Sequence, residues 1–177
     1  LNESISVLRN SGRVDDTSTF HGCCIYEPPK AEVASWQPGD TVDRRLDLVV
    51  RHENEVYEAR VSVTRGEVDR WEVVPDVVPR VGFVELFKVM DACRNNPDFQ
   101  KALNDRGIND PSKVQIDPWP TGEYGFEFED GRRVQRCIAF YRPNPSDNGY
   151  AFPIDGLMVH VDVDNLSVLH IEDFGSW

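Results

Sequence analysis

The sequence predicts an α+β protein of two domains, residues 1–78 and 79–177, each a helix laid across a four-stranded antiparallel sheet. Three observations carry that expectation. The first is Tyr150–Asp173 (YAFPIDGLMVHVDVDNLSVLHIED), where Leu157, Val159, Val161 and Val163 alternate with Met158, His160, Asp162 and Asp164. Strand side chains alternate between faces, so this reads as a strand with one core face and one wet face. Asp164-Asn165 supplies the turn, and Leu166, Val168, Leu169 and Ile171 return as a partner strand. The second is an echo between the halves. Each reads as a helix followed by four strands, with VYEARVSVTRGEVDRWEVV in the first half answering GLMVHVDVDNLSVLHIED in the second. The third is Pro75–Pro79 (PDVVP), where two prolines remove donors and fix φ just where the strand pattern stops, marking a domain boundary.

In chain order, Ile5 and Leu8 with Val7 give a short helix over Asn2–Asn10, stopped by Gly12. Phe20–Tyr26 is a strand, and Glu27–Gly39, with Pro28, Pro29 and Pro38, is a loop. Arg45–Arg51, Val56–Thr64 and Glu67–Val74 alternate as three further strands, the last two joined at Arg65-Gly66. Beyond the boundary, Phe83, Phe87, Met90 and Cys93 recur at helical spacing with Leu86 in the same stripe. Asn96-Pro97 restarts a helix as cap and first residue, Phe99, Ala102 and Leu103 continue its apolar side, and Gly107 ends it. Val114–Trp119 and Val134–Tyr141 are the two strands that precede the closing hairpin.

A chain of 177 residues, 40% apolar and 28% charged, can bury a sizeable core. Its net charge of -12 opposes binding to nucleic acid or anionic lipid and favours cationic partners, although scattered acids also serve simply as a solubilising surface. Cys23, Cys24, Cys93 and Cys137 form no CxxC pair and no disulfide framework, and the adjacent pair points to opposite strand faces. Free thiols fit a reducing compartment, cytoplasmic or peroxisomal. No apolar run approaches the ~20 residues of a membrane span, and no signal-peptide pattern is present. The chain opens on Leu1, which suggests a fragment trimmed at its N-terminus and also at Trp177.

The candidate chemical constellations are weak. His160, Asp162 and Asp164 share a strand face and could converge on a metal, but a wet face beside valines requires polar residues anyway. Asp162–Asp173 places acids like a calcium loop, yet its sixth position is Ser167 where such a loop needs glycine. His21, His52, His160 and His170 form neither HxH nor HExxH. There is no GxSxG elbow and no glycine-rich phosphate loop. Asp110, Asp117 and Glu123 could furnish a carboxylate pair, though acids are commonplace in loops. Asn2 and Asn165 match the glycosylation acceptor pattern, an accidental match without a signal peptide.

From Ser112 to Gly175 the order of residues is more specific. It contains the Trp119–Gly122 turn, a strand from Arg133 or Arg136 to Tyr141-Arg142, Tyr-Ala-x-Pro-x-Asp-Gly-Leu at 150–157, and a VxVD hairpin ending Glu172-Asp173. This pattern resembles the small domain that precedes the catalytic domain in copper-dependent primary-amine oxidases. Residues 1–78 are similar to the domain before it, mainly in element order and the VSVTRGEV hairpin. The resemblance implies that both domains are cystatin-like. It also implies a parent enzyme, a homodimer, that oxidises primary amines to aldehydes with release of ammonia and hydrogen peroxide, using copper and a topaquinone made from a tyrosine. This chain has neither the Asn-Tyr-acid motif of the quinone nor an HxH pair, so no cofactor or metal is expected in it. Its partner would be the catalytic domain of the same protein. By residue matching, Tyr150, Pro118 and Leu86 would line the channel leading substrate to the quinone, as an apolar wall favouring amines with a hydrophobic tail. The same residues could instead simply pack the domain.

Two other readings fit less well. A free-standing cystatin-like protease inhibitor would need a Gln-x-Val-x-Gly hairpin, which is absent. A small enzyme built on His160 and Asp162 would have to rest on the acidic hairpin face alone.

Overall fold

The computed structural model describes residues 1–122 and 124–175, which form two compact units, Leu1–Arg80 and Val81 onward. The first begins with helix α1 (Asn2–Asn10), which presses Leu8 and Ser4 against a sheet and ends before Gly12, whose φ of 72° suits only glycine well. Strands β1 (Thr19–Tyr26), β2 (Arg45–His52), β3 (Glu55–Ser62) and β4 (Glu67–Val73) pair antiparallel in sequence order. Leu8 and Val14 meet Leu48, Val50, Ala59 and Val61 on one face, the strand alternation having delivered every second residue to the core. The segment expected as a loop contains a six-residue helix, α2 (Lys30–Ser35), started by Pro29 and burying none of its residues. Helix propensity in KAEVAS overrides the surrounding prolines only between them.

A bulge in β1 places His21 between Phe20, opposite Val50, and Gly22, opposite Val49. The imidazole is only 4% exposed. Its Nδ1 lies 2.8 Å from the Arg80 carbonyl and its Nε2 2.7 Å from the Thr19 hydroxyl. A carbonyl oxygen only accepts, so Nδ1 carries a proton. The Pro75–Pro79 segment is therefore held to its own sheet by its far end.

In the second unit, helices α3 (Phe83–Arg94) and α4 (Pro97–Asp105) cover a sheet of β5 (Val114–Pro120), β6 (Val134–Tyr141), β7 (Pro153–Asp162) and β8 (Ser167–Asp173), again in sequence order and antiparallel. Asn96 caps α4 by accepting from the Asp98 and Phe99 amides, with Pro97 at the first helical position. Val89, Cys93, Phe99 and Leu103 close over Ile116, Cys137, Leu157, Val159 and Val161. At about 1.5–3 kcal/mol for each fully buried large apolar side chain, this layer supplies most of the unit's favourable burial energy. Cys137 sits in it beside Cys93, whose hydrogen bond together with burial pushes the Cys137 thiol well above its ordinary pKa.

Three expectations fail in instructive ways. The core-facing line of α3 is Val89 and Cys93, whereas Phe83 and Phe87 are 75% and 51% exposed. At about 100° per residue the two phenylalanines lie roughly 100–140° round the helix from that line, and spacing alone could not say which apolar line faces the sheet. Leu166 belongs to the hairpin turn, at φ 53°, and is not part of the returning strand. The third concerns the face of β7 expected to be wet. His160 is fully buried and Asp162 is 3% exposed. The segment between β5 and β6 folds over His160, placing Phe126 and Phe128 edge-on to it at ring separations of 5.6 and 5.1 Å, and Asp162 is turned into the hairpin end. Alternation states which residues share a face, and a distant segment decides whether that face meets water.

Candidate functional site

His160, Asp162, Asp164 and Glu172 of the closing hairpin are engaged in holding the fold. His160 Nε2 lies 2.7 Å from a Glu172 carboxylate oxygen, which also accepts from Arg136 at 3.3 Å. The other ring nitrogen of His160, Nδ1, is buried with no hydrogen-bond partner among the described residues. Asp162 accepts from the Asp164 and Asn165 amides at 2.9 and 3.0 Å, an Asx turn that shapes the hairpin end. Asp164 accepts from Arg133 at 2.7 Å. Of the acids considered for a carboxylate pair, Asp110 caps the short turn at Pro111–Lys113, where hydrogen bonds from the Ser112 hydroxyl and amide hold it below the usual carboxylate range. Asp117 accepts from the Trp119 indole at 2.7 Å. Glu123 lies outside the described residues. Among the described residues no group of three or more His, Cys, Asp or Glu is placed to hold a metal ion.

Of the three residues matched to a channel wall, Pro118 lies in β5, an edge strand of its sheet, Leu86 in α3 and Tyr150 in the loop between β6 and β7. Pro118 pairs with Cys137, so it belongs to the helix side. Leu86, half-buried, is in the first turn of α3, where its amide bonds the Gly82 carbonyl, and α3 packs on the sheet face that Pro118 shares. Tyr150 is on the opposite side. Its ring packs edge-on against Phe140 at 5.1 Å, and Phe140, next to the buried Ala139, points away from the helices. An Asn148 side chain accepting from the Tyr150 amide fixes that loop. Pro118 and Leu86 thus share one side of the sheet and Tyr150 occupies the other, with the β5 edge between them.

Residues that sequence reasoning did not assign to this region are Phe83, Phe87 and Trp119, all exposed. Phe83 and Phe87 pack edge to face at 4.9 Å, one turn apart, on the outward side of α3. Trp119 pairs with Arg136 on the side away from the helices and is 56% exposed. The angular offset of Phe83 and Phe87 from Val89 and Cys93 separates the two apolar lines of α3, and only packing on the sheet shows which one is left exposed. Gly156 of the Tyr-Ala-x-Pro-x-Asp-Gly-Leu segment has φ 68°, and a Cβ there would stand 2.8 Å from the Gly175 carbonyl oxygen. That close approach is the physical reason this position is glycine.

The first unit holds a groove of about 710 Å³ lined by His21, Cys24, Val49, Val56, Val77 and Arg80 among others, on the sheet face beneath the Pro75–Pro79 segment. It contains none of the residues matched to the channel.

Residues 84–176 match the family model described as "Copper amine oxidase, N3 domain", and residues 1–71 match "AGAO-like N2 domain". The chain is 30% identical over 173 residues to the primary amine oxidase of Arthrobacter sp. (strain P1), a match covering 96% of this chain and 26% of that protein. It is 32% identical over 161 residues to the peroxisomal copper-containing diamine oxidase 1 of Nicotiana tabacum, covering 82% of this chain and 20% of that one. The chain thus spans about a quarter or less of the length of these relatives. A copper-containing benzylamine oxidase from Hansenula polymorpha shares the fold, with a TM-score of 0.77 over 98% of this chain and 28% of that chain at 14% identity. Two helix-on-sheet units in this order, with domain models matching in turn along both, lead to one assignment: the chain belongs to the copper amine oxidase family.

Proposed function

We propose that this chain is the non-catalytic, two-domain N-terminal portion of a homodimeric copper amine oxidase, in which the second unit packs on the catalytic domain and lines its substrate channel. The whole enzyme converts primary amines to aldehydes, ammonia and hydrogen peroxide, in a reducing setting of cytoplasm or peroxisome. The observation that carries the reading is the set of exposed apolar side chains on α3, β5 and the loop between β6 and β7. Phe83, Phe87, Trp119 and Tyr150 are each at least half exposed, on a unit whose own core is already closed by other residues. Apolar surface left over after a core is complete is what a further domain would cover.

The residues described do not fit copper. His160 is bonded to Glu172, His21 is bonded to the Arg80 carbonyl and Thr19, and among the described residues no three His, Cys, Asp or Glu side chains are arranged to hold a metal ion. No copper or quinone step is therefore assigned to this chain, and its contribution is confined to shaping and drying the approach. Tyr150, Pro118 and Leu86 offer an aromatic ring, a rigid ring and a branched aliphatic group, which favour an amine with a hydrophobic tail over methylamine.

The test has two parts. Incubated with copper, the 177-residue chain should take up no stoichiometric metal and oxidise neither benzylamine nor an alkylamine, and copper-dependent turnover by this chain would overturn the reading. In the full-length enzyme, Leu86→Ala and Tyr150→Ala should raise KM for benzylamine about 5- to 30-fold while leaving methylamine within twofold, the scale of lost apolar contact at about 1–2 kcal/mol. Equal effects on both amines would remove these residues from the channel.

A further inference from the structure

Arg133 stands at the start of β6 with its side chain 2% exposed, although arginine is among the residues least often buried. One nitrogen, Nη2, donates to Glu85 at 2.7 Å, and Nη1 donates to Glu85 at 2.9 Å and to Asp164 at 2.7 Å. Glu85 is half of the capping arrangement of α3: its other role is to accept from the Gly82 amide at 2.6 Å. The Leu86 amide, the first inside the helix, bonds the Gly82 carbonyl. On the opposite side, Asp164 belongs to the β7–β8 turn shaped by Asp162, and the Arg133 carbonyl accepts from the Val163 amide at 2.8 Å. One planar guanidinium therefore connects the hairpin turn to the first turn of the helix, and an ammonium could not reach both carboxylates with the same fork.

We propose that Arg133 is a positioning residue: through Glu85 it fixes where α3 begins and hence where Leu86 stands. This rests on the reading of Leu86 as part of the channel wall. Removing the cation takes from Glu85, whose carboxylate is 23% exposed, both of its charge-assisted hydrogen bonds to the guanidinium, so Glu85 swings toward water and releases the Gly82 amide. The consequence is local, because α4 is capped independently by Asn96.

Hydrogen exchange on the folded protein tests the positioning step. In Arg133→Met, the Gly82 and Leu86 amides should exchange at least about tenfold faster, while α4 and the first unit keep their wild-type rates. Arg133→Lys should restore part of that protection, and Glu85→Gln, which keeps an acceptor for Gly82 and loses the ion pair, should fall between. Unchanged rates at Gly82 and Leu86 overturn the proposal, as does acceleration spread evenly over the whole second unit. Should Arg133→Met fail to fold, Arg133→Lys and Glu85→Gln carry the same comparison. In the full-length oxidase, Arg133→Lys should raise KM for benzylamine more than for methylamine with kcat little changed. If Leu86→Ala leaves that selectivity untouched, the channel reading fails, and the exchange data still decide whether Arg133 sets the helix start.

Discussion

Replacing His160 by alanine should destabilise the second unit by about 3 kcal/mol. Its ring is fully buried, flanked edge-on by Phe126 and Phe128, so removing it opens a cavity at a cost of about 2 kcal/mol, the low end for large-to-alanine changes. The bond to Glu172 at 2.7 Å involves a carboxylate 12% exposed, and its loss adds about 2 kcal/mol. Two factors offset this by about 1 kcal/mol: Glu172 keeps Arg136, and the unpartnered Nδ1 disappears with the ring. Urea unfolding followed by amide resonances of β6 and β7 isolates the second unit's transition. His170→Ala is the comparison, since His170 touches the same Phe126 and Phe128 rings but is exposed on the neighbouring strand, and it should cost only about 0.5–1 kcal/mol. A His160→Ala loss below about 1 kcal/mol would mean that the covering segment does not seal this face, and the argument for a buried outer face would fall.

Gly156→Ala should cost about 1–3 kcal/mol, because a left-handed backbone angle and a 2.8 Å approach to the Gly175 carbonyl oppose any Cβ, and the same urea assay reads it. Asp173 receives a bidentate pair from Arg106 and an amide bond from Gly175, with the Arg106 hydrogen bond the main cause that holds its carboxyl below the ordinary 3.8. A carboxyl depressed on folding contributes stability that is complete above its unfolded value and is lost as pH falls through the folded one. Stability should therefore decline as pH drops below about 4, and Asp173→Asn should be less stable at pH 7 and show a shallower decline in that window. An unchanged acid profile in Asp173→Asn would show that the pair to Arg106 contributes nothing.

Period-two alternation and turn residues sufficed to place the strands along the chain, because the physics of a half-buried strand is local: Leu157, Val159 and Val161 must share a face whatever surrounds them. Caps were equally legible, since Asn96-Pro97 carries its own hydrogen-bonding instruction. The residues that match the amine oxidase pattern were likewise visible in the order of side chains from Trp119 to Asp173. Tertiary structure alone decided what covers each face. His160 is dry because a segment some thirty residues earlier lays Phe126 and Phe128 over it, and no spacing within the hairpin encodes that. Phe83 and Phe87 point outward because α3 turns Val89 and Cys93 to the sheet, a choice between two apolar lines settled by packing against β5 and β7. Arg133 acquires its partners from helix and hairpin only when both are assembled, 48 and 31 residues away in the chain. Local periodicity thus determined the elements, and contacts distant in sequence determined which of their faces are closed and which are left for a partner.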